Sequence, residues 1–463
     1  MRAPGIGIVH LGVGAFARAF CIPWIEDAME VGGGDWGVLG VSLRSAKVRD
    51  DLAANGFAYH ALERASEGAK LRKISTLSDV LVAPEDPEAV VAALARPEVK
   101  VVTLTVTEKG YCYDPTSGGL DRSLPAIIHE LANPEAPETA PGFLVAALAQ
   151  RRAAGVAPFT CLSCDNLPGN GAVLRQVVLD LARMIDPGLA EWIAENGCFP
   201  STMVDRIVPA TTEPDLKEVA ALAGAPDQGA VVHEPFRQWV IEDRFVGGER
   251  PDFAAVGVQM VQDVAPFEHM KLRCLNGTHS AMAYLGALGG FETVAQAARD
   301  ADMQRFVERL WAEEILPSFE VPDGADGGAY VAALMQRYLN PAIRHKTIQI
   351  AMDGSQKLPQ RILATAADNL AAGVPMRRLG LVVAAWIRFL RGEDDAGQAF
   401  VVNDPLAERL QGLAMSDDPV AALLAVRDVF PRDLAGDERF LTAVRKGYDA
   451  LSDRGVRGVL GEF

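Results

Sequence analysis

Residues 267–283 read FEHMKLRCLNGTHSAMA, which sets Glu268, Lys271, Asn276 and His279 among Leu, Cys, Met, Ala and Gly. An α-helix advances by about 100° per residue, so Glu268, Lys271 and His279 fall within an arc of roughly 80°, with Asn276 about 60° beyond its edge. Four polar groups along one side of an apolar segment point into an interior or a cleft, where unpartnered polar atoms are costly. These are the residue types that remove a proton from a hydroxyl. A lysine whose pKa burial depresses is a general base, an amide N–H holds an oxygen gaining alkoxide character, and an imidazole orients neighbouring hydroxyls. Lys271 is the expected base, Asn276 the donor and His279 the orienting group. Each also has an ordinary structural explanation: a helix-entry lysine, an asparagine tied to backbone, a satisfied core histidine.

Such chemistry needs a hydride acceptor, and the start of the chain offers a place for one. Gly12, Gly14 and Ala17 are spaced GxGxxA between an apolar run and a helical pattern. The first glycine permits a tight turn, the second lets backbone approach a pyrophosphate, and the small third residue lets helix and strand pack closely. Ala15 and Phe16 open that helix. The second strand ends Val41-Ser-Leu-Arg44, where folds that select NAD usually carry an acid for the ribose hydroxyls; here the acid is missing and both NAD and NADP stay open, with Arg44 able to meet a 2′-phosphate, to stack on adenine, or to sit solvated at the surface. Thr105, Glu108 and Lys109 lie at the end of the strand at 99–106, Asn166 follows the strand at 158–163, and Asp205 lies in MVDRIVPATT; all fall where a cofactor cleft opens in such a sheet. An Asx-turn before Pro168 and an ion pair of Asp205 with Arg206 are the structural alternatives.

The elements that must position these groups alternate in the first half. Strands are predicted at 7–11, 36–43, 99–106 and 158–163, with helices at 15–31, 45–55, 86–95 and 171–185, the signature of a parallel sheet built from crossover units. Residues 231–241 and 253–262 read as further strands. Alanine- and leucine-rich helical patterns then dominate, at 293–316, 361–372 and 377–391. The predicted class is α/β: an N-terminal Rossmann-type dinucleotide-binding domain over 1–262 and a mainly α-helical domain for substrate and catalysis over 263–463.

The 463 residues, 49% of them hydrophobic, exceed what one core usually organises. A net charge of −17 with no basic run repels phosphate backbones and anionic lipid, so neither nucleic acid nor membrane is an expected partner. The first residues lack the pattern of an export signal, and the apolar stretch 379–390 contains Arg388 and reads as a buried helix, which points to a cytoplasmic protein. The six cysteines make no disulfide framework, and Cys161 and Cys164 read as ordinary buried thiols rather than metal ligands.

Seven segments resemble the long-chain polyol dehydrogenases typified by mannitol 2-dehydrogenase, a family that includes fructuronate reductase (mannonate oxidoreductase): HLGVGAFARA, TLTVTEKGY, SCDNLPGNG, MVDRIVPATT, EPFRQWVIED, KLRCLNGTHS and DGSQKLPQR. The K-x4-N-x2-H spacing with the upstream SCDN is the most specific of them. The resemblance implies an NAD-dependent, metal-independent oxidoreductase that interconverts a secondary alcohol of an open-chain polyol or aldonate with the ketose or ketouronate. Lys271 would be general acid/base, with Asn166 and Asn276 stabilising the alkoxide. His279, Asn276 and Lys357 would bind substrate, Glu108 and Glu268 would line a proton path, and Gly12, Gly14, Ala15, Phe16, Arg44, Thr105 and Asp205 would form the cofactor site. Three departures stand out: Phe20 where many relatives carry His, Gln349 where polyol-specific members carry Arg, and the acid missing after the second strand. A small-molecule substrate is the expected partner. The oligomeric state is not readable from the sequence, a monomer being compatible with all of it. Two alternatives are a non-catalytic nicotinamide sensor and a hydroxy-acid dehydrogenase using Arg344 or Arg361 as a carboxylate fork.

Overall fold

The computed structural model describes residues 4–463, which form two compact units, one ending at Ala265 and the other running from Pro266 to Phe463. In the first, β1 (Ile6–Leu11), β2 (Gly37–Ser42), β3 (Leu77–Val82), β4 (Val101–Leu104) and β5 (Thr160–Ser163) make one parallel sheet in the order β3-β2-β1-β4-β5. Val, Leu and Ile fill β1, β2 and β4 because helices cover both faces of such a sheet. The strand order reverses between β1 and β4, which opens a crevice at the carboxyl ends of these strands.

The residues expected as one strand at 231–241 are two strands in different sheets. Val231–His233 joins the hairpin of Tyr59–Ala65 and Gly68–Ile74, whereas Gln238–Glu242 lies between Thr202–Asp205 and Gln259–Val261. Pro235 has no N–H to give a ladder, and the chain turns there. The guanidinium of Arg206 closes the turn by donating to the carbonyls of Ala19 at 2.7 Å and of Glu234 and Phe236, both at 3.2 Å. The helix expected at 15–31 is also interrupted, at Phe20, between Ala15–Ala19 and Cys21–Gly32. Phe20 stacks on Phe16 at 5.0 Å and meets Trp239 at 5.5 Å, so this position serves packing.

The second unit is helical. Ala265–Met270 continues into a π-helical stretch, Lys271–Gly277, and then into the α-helix Thr278–Leu288. The uniform α-helical arc expected for 267–283 is therefore corrected: i→i+5 bonding widens the middle and re-aims its side chains. Two carbonyls of that stretch find side-chain donors, Cys274 from Trp311 Nε1 at 3.1 Å and Leu275 from the Tyr338 hydroxyl at 3.0 Å. Arg377–Phe389 is buried almost throughout and packs on Glu438–Val459, where Gly380 and Gly447 allow backbone contact. Among the described residues no helix is long and apolar enough to cross a membrane.

Candidate active site

Gly12 ends β1 with φ +91°, and a Cβ there would run into the Thr105 carbonyl oxygen, so only glycine fits. Gly14 is different. Its φ is −77°, and a Cβ would find only the Gly12 carbonyl oxygen, 3.9 Å away. Nothing within the polypeptide requires a glycine there; a pyrophosphate drawn close to the backbone does, and the residues present fit a dinucleotide. Ala15 and Phe16 begin the helix that follows, and Ala17 is fully buried.

The turn is braced from β4. The ring nitrogens of buried His10 lie 2.7 Å from Thr103 Oγ1 and 2.9 Å from Thr105 Oγ1, and the Thr105 hydroxyl donates to the Gly12 carbonyl at 2.6 Å. Burial pushes the His10 pKa down to about 4, keeping the ring neutral. Arg44, exposed beyond β2, has no acid beside it in sequence to take the usual ribose role.

At the ends of β4 and β5 the residue that organises the backbone is one that sequence reasoning passed over. Asp165 accepts from the Val106 and Thr107 amides at 2.9 and 3.0 Å and from the Tyr111 hydroxyl at 2.7 Å. That clamp holds Thr107 at φ +67° and sets the turn carrying Glu108 and Lys109, both exposed. Asn166 is the next residue and is exposed. Asn170 fixes the loop from behind, donating to the carbonyls of Asp165 and Thr202, both at 2.9 Å. Asp205 ends its strand 4% exposed.

In the second unit Lys271 is 8% and His279 7% exposed, while Glu268 and Asn276 are half-buried on the same continuous helical segment. Arg273, between them, is tied to Asp368 and to the Ser318 carbonyl, a structural anchor. His279 packs its ring 4.9 Å from Tyr338 and 5.2 Å from His345. Burial first, then His345, Arg337 and Arg361, hold its imidazole well below the usual range and therefore neutral. Lys357 donates to the Met352 carbonyl at 2.7 Å, and burial, then Arg361, lower its pKa. Arg361 reaches Ser280 Oγ at 3.3 Å, one residue from His279. Arg344, named beside it as a carboxylate fork, is 76% exposed with Glu292 at 3.9 Å, and Gln349 is exposed. His345, Tyr338 and Arg337 were not singled out from sequence, because only tertiary packing brings them to His279. Cys161 and Cys164 are buried free thiols with raised pKa values.

The first unit carries a glycine turn at the switch point of a parallel sheet, and the second a buried lysine and histidine with a half-buried asparagine on one continuous helical segment, the residue types of an oxidoreductase acting on a hydroxyl. Residues 6–254 match the mannitol dehydrogenase Rossmann domain and residues 263–452 the mannitol dehydrogenase C-terminal domain. This chain belongs to the mannitol dehydrogenase family. It is 45% identical to the D-mannonate oxidoreductase of Escherichia coli (strain K12), over 97% of this chain and 94% of that one. It is 40% identical to a mannitol 2-dehydrogenase of Pyricularia oryzae, over 99% and 93% of the two chains. The solved Pseudomonas fluorescens mannitol 2-dehydrogenase, a ternary complex with NAD and D-mannitol, matches with a TM-score of 0.85 at 39% identity, covering 99% of this chain and 94% of that one.

Proposed function

We propose that this enzyme reversibly oxidises one secondary hydroxyl of an open-chain polyol or aldonate, with Lys271 as general acid/base and without a metal. The observation that carries the reading is Lys271 itself, a lysine only 8% exposed at the start of a π-helical turn in an otherwise apolar segment. Bound in the first unit, NAD would supply the acceptor for the hydride leaving the carbinol carbon. Lys271 in its uncharged form takes the hydroxyl proton and returns it in the reverse direction. Amide N–H groups of Asn276 and Asn166 donate to the oxygen as its charge develops. His279, neutral, and Lys357 hold neighbouring hydroxyls, and Glu268 and Glu108 pass the proton from Lys271 to solvent. Gly12, Gly14, Ala15, Phe16, Arg44, Thr105 and Asp205 form the cofactor's binding surface. The D-mannonate and D-mannitol named for relatives support an open-chain polyol or aldonate as substrate. Six unbridged cysteines accord with a reducing, cytoplasmic setting.

The test is nicotinamide absorbance with chelator-treated protein, offering NAD and NADP with mannitol, arabinitol, sorbitol, mannonate and altronate, and the reduced cofactors with fructose and fructuronate. Turnover that survives the chelator is expected, and Lys271→Ala is expected to abolish it while NADH still binds. Retained turnover in that variant removes Lys271 from the role of base. Silence across the panel with tight NADH binding points to the sensor alternative.

A further inference from the structure

The basic triplet Arg344-His345-Lys346 divides by direction. Arg344 and Lys346 have Glu292 at 3.9 and 3.6 Å, whereas His345 turns inward, its ring edge-on to His279 at 5.2 Å and 86°. The His345 backbone is pinned on both sides: its N–H donates to Ile343 at 2.9 Å, and its carbonyl accepts from Val294 at 3.0 Å. Its Nδ1 is nevertheless buried without a hydrogen-bond partner. A ring nitrogen held in place and left unmatched is destabilising unless a group from outside the polypeptide meets it.

The surroundings say what charge that group carries. Burial and then Lys357 push the His345 imidazole down, Arg361 acts likewise on Lys357 after burial, and Arg361 and Arg337 both act on His279. Two carboxylates face this assembly. Asp353 lies 3.7 Å from Lys357 Nζ, and Asp404 is engaged by the Ser355 amide and hydroxyl at 2.7 and 2.6 Å. Four groups able to carry positive charge, Arg337, His345, Lys357 and Arg361, thus collect around His279, on three helical elements and a loop.

We propose that His345, Arg361 and Lys357 form an anion subsite beside His279 that receives the terminal carboxylate of an open-chain sugar acid. The planar fork of Arg361 and a donating Nδ1–H of His345 match two carboxylate oxygens, and no neutral alditol uses that charge. The substrate is then an aldonate and the product a ketouronate. This rests on the reading above that His279 contacts substrate.

Steady-state kinetics decide it, with a six-carbon aldonate, the alditol of the same configuration and that alditol's terminal phosphomonoester. The aldonate is expected to lead both others in kcat/KM by roughly tenfold or more. His345→Gln and Arg361→Gln are each expected to lower the aldonate-to-alditol ratio by about tenfold or more, chiefly through the KM for aldonate, and Arg361→Lys to recover part of it. A ratio that stays within about twofold of the wild type in both glutamine variants overturns the subsite, since a merely structural defect lowers both substrates together. Preference for the phosphomonoester also overturns it. If none of the three is oxidised, the proposed reaction fails. Calorimetric titration of aldonate into the NADH-loaded protein, wild type against His345→Gln, still tests the subsite, and equal affinity for the two refutes it.

Discussion

A Cβ on Gly277 would lie 2.8 Å from the carbonyl oxygen of Arg361. The π-helical stretch Lys271–Gly277 is therefore seated on a second one, Pro359–Leu363, with backbone against backbone. This contact ties the register of the segment carrying Lys271 and Asn276 to the one carrying Arg361, with Lys357 a turn before it.

Gly277→Ala must separate the two stretches, because the atom in the way is backbone and cannot rotate aside. We expect kcat to fall by roughly tenfold or more, with a stability loss of about 1–3 kcal/mol, the usual cost of overpacking. NADH affinity, measured by fluorescence titration, should stay near that of the wild type. Unchanged kcat would mean that the stretch tolerates displacement and that the contact does not set the geometry of the site.

The two glycines of the cofactor turn should separate stability from affinity. Gly12→Ala meets both a left-handed φ and the Thr105 carbonyl, and should lose about 2–4 kcal/mol in urea denaturation. Gly14→Ala places its methyl in open space and should cost no more than about 0.5 kcal/mol, yet raise the NADH Kd by roughly tenfold or more. Near wild-type NADH affinity in Gly14→Ala would show that the pyrophosphate does not approach this backbone.

Acid should act on buried histidines before it acts on the fold as a whole. Burial first, then Arg206, hold His233 down at about 4, and burial holds His10 at about 4. Both lie below the ordinary value of 6.5, so between these limits the unfolded chain binds the proton and the native one does not. Their contribution is fully present above about pH 6.5 and is lost as pH falls toward about 4, on the order of 3 kcal/mol for each ring. Nitrogen-15 NMR of the histidines should find both rings neutral at pH 5.5, and titration near 6.5 would refute this.

The sheet was largely legible because β1, β2 and β4 are short runs rich in Val, Leu and Ile separated by helical periods, which is the pattern burial on both faces imposes. The hairpin Tyr59–Ile74 escaped notice, being half exposed and mixed in polarity. Pro235 was the available sign that 231–241 could not be one strand. The π-helical stretches leave no mark in hydrophobic periodicity, since one widened turn shifts the period by less than the scatter of side-chain types. His345 gave no signal of its own between Arg344 and Lys346, which are exposed, and its inward turn is set by contacts with Ile343 and Val294. Asp165 was overshadowed by Asn166 beside it, although a carboxylate accepting two amides is what steadies that strand end.

The chain of contacts from Thr103 to Gly12 has only one possible orientation. The Thr105 hydroxyl has a single hydrogen and gives it to the Gly12 carbonyl, so it must accept from His10. The His10 proton therefore sits on Nε2, Nδ1 is left to accept, and the Thr103 hydroxyl must point toward it. The glycine turn is closed by a latch with one way round: each link is polarised by the one before it, a valine at either threonine position would leave one ring nitrogen without a counterpart, and a valine at 105 would also take the donor from the Gly12 carbonyl.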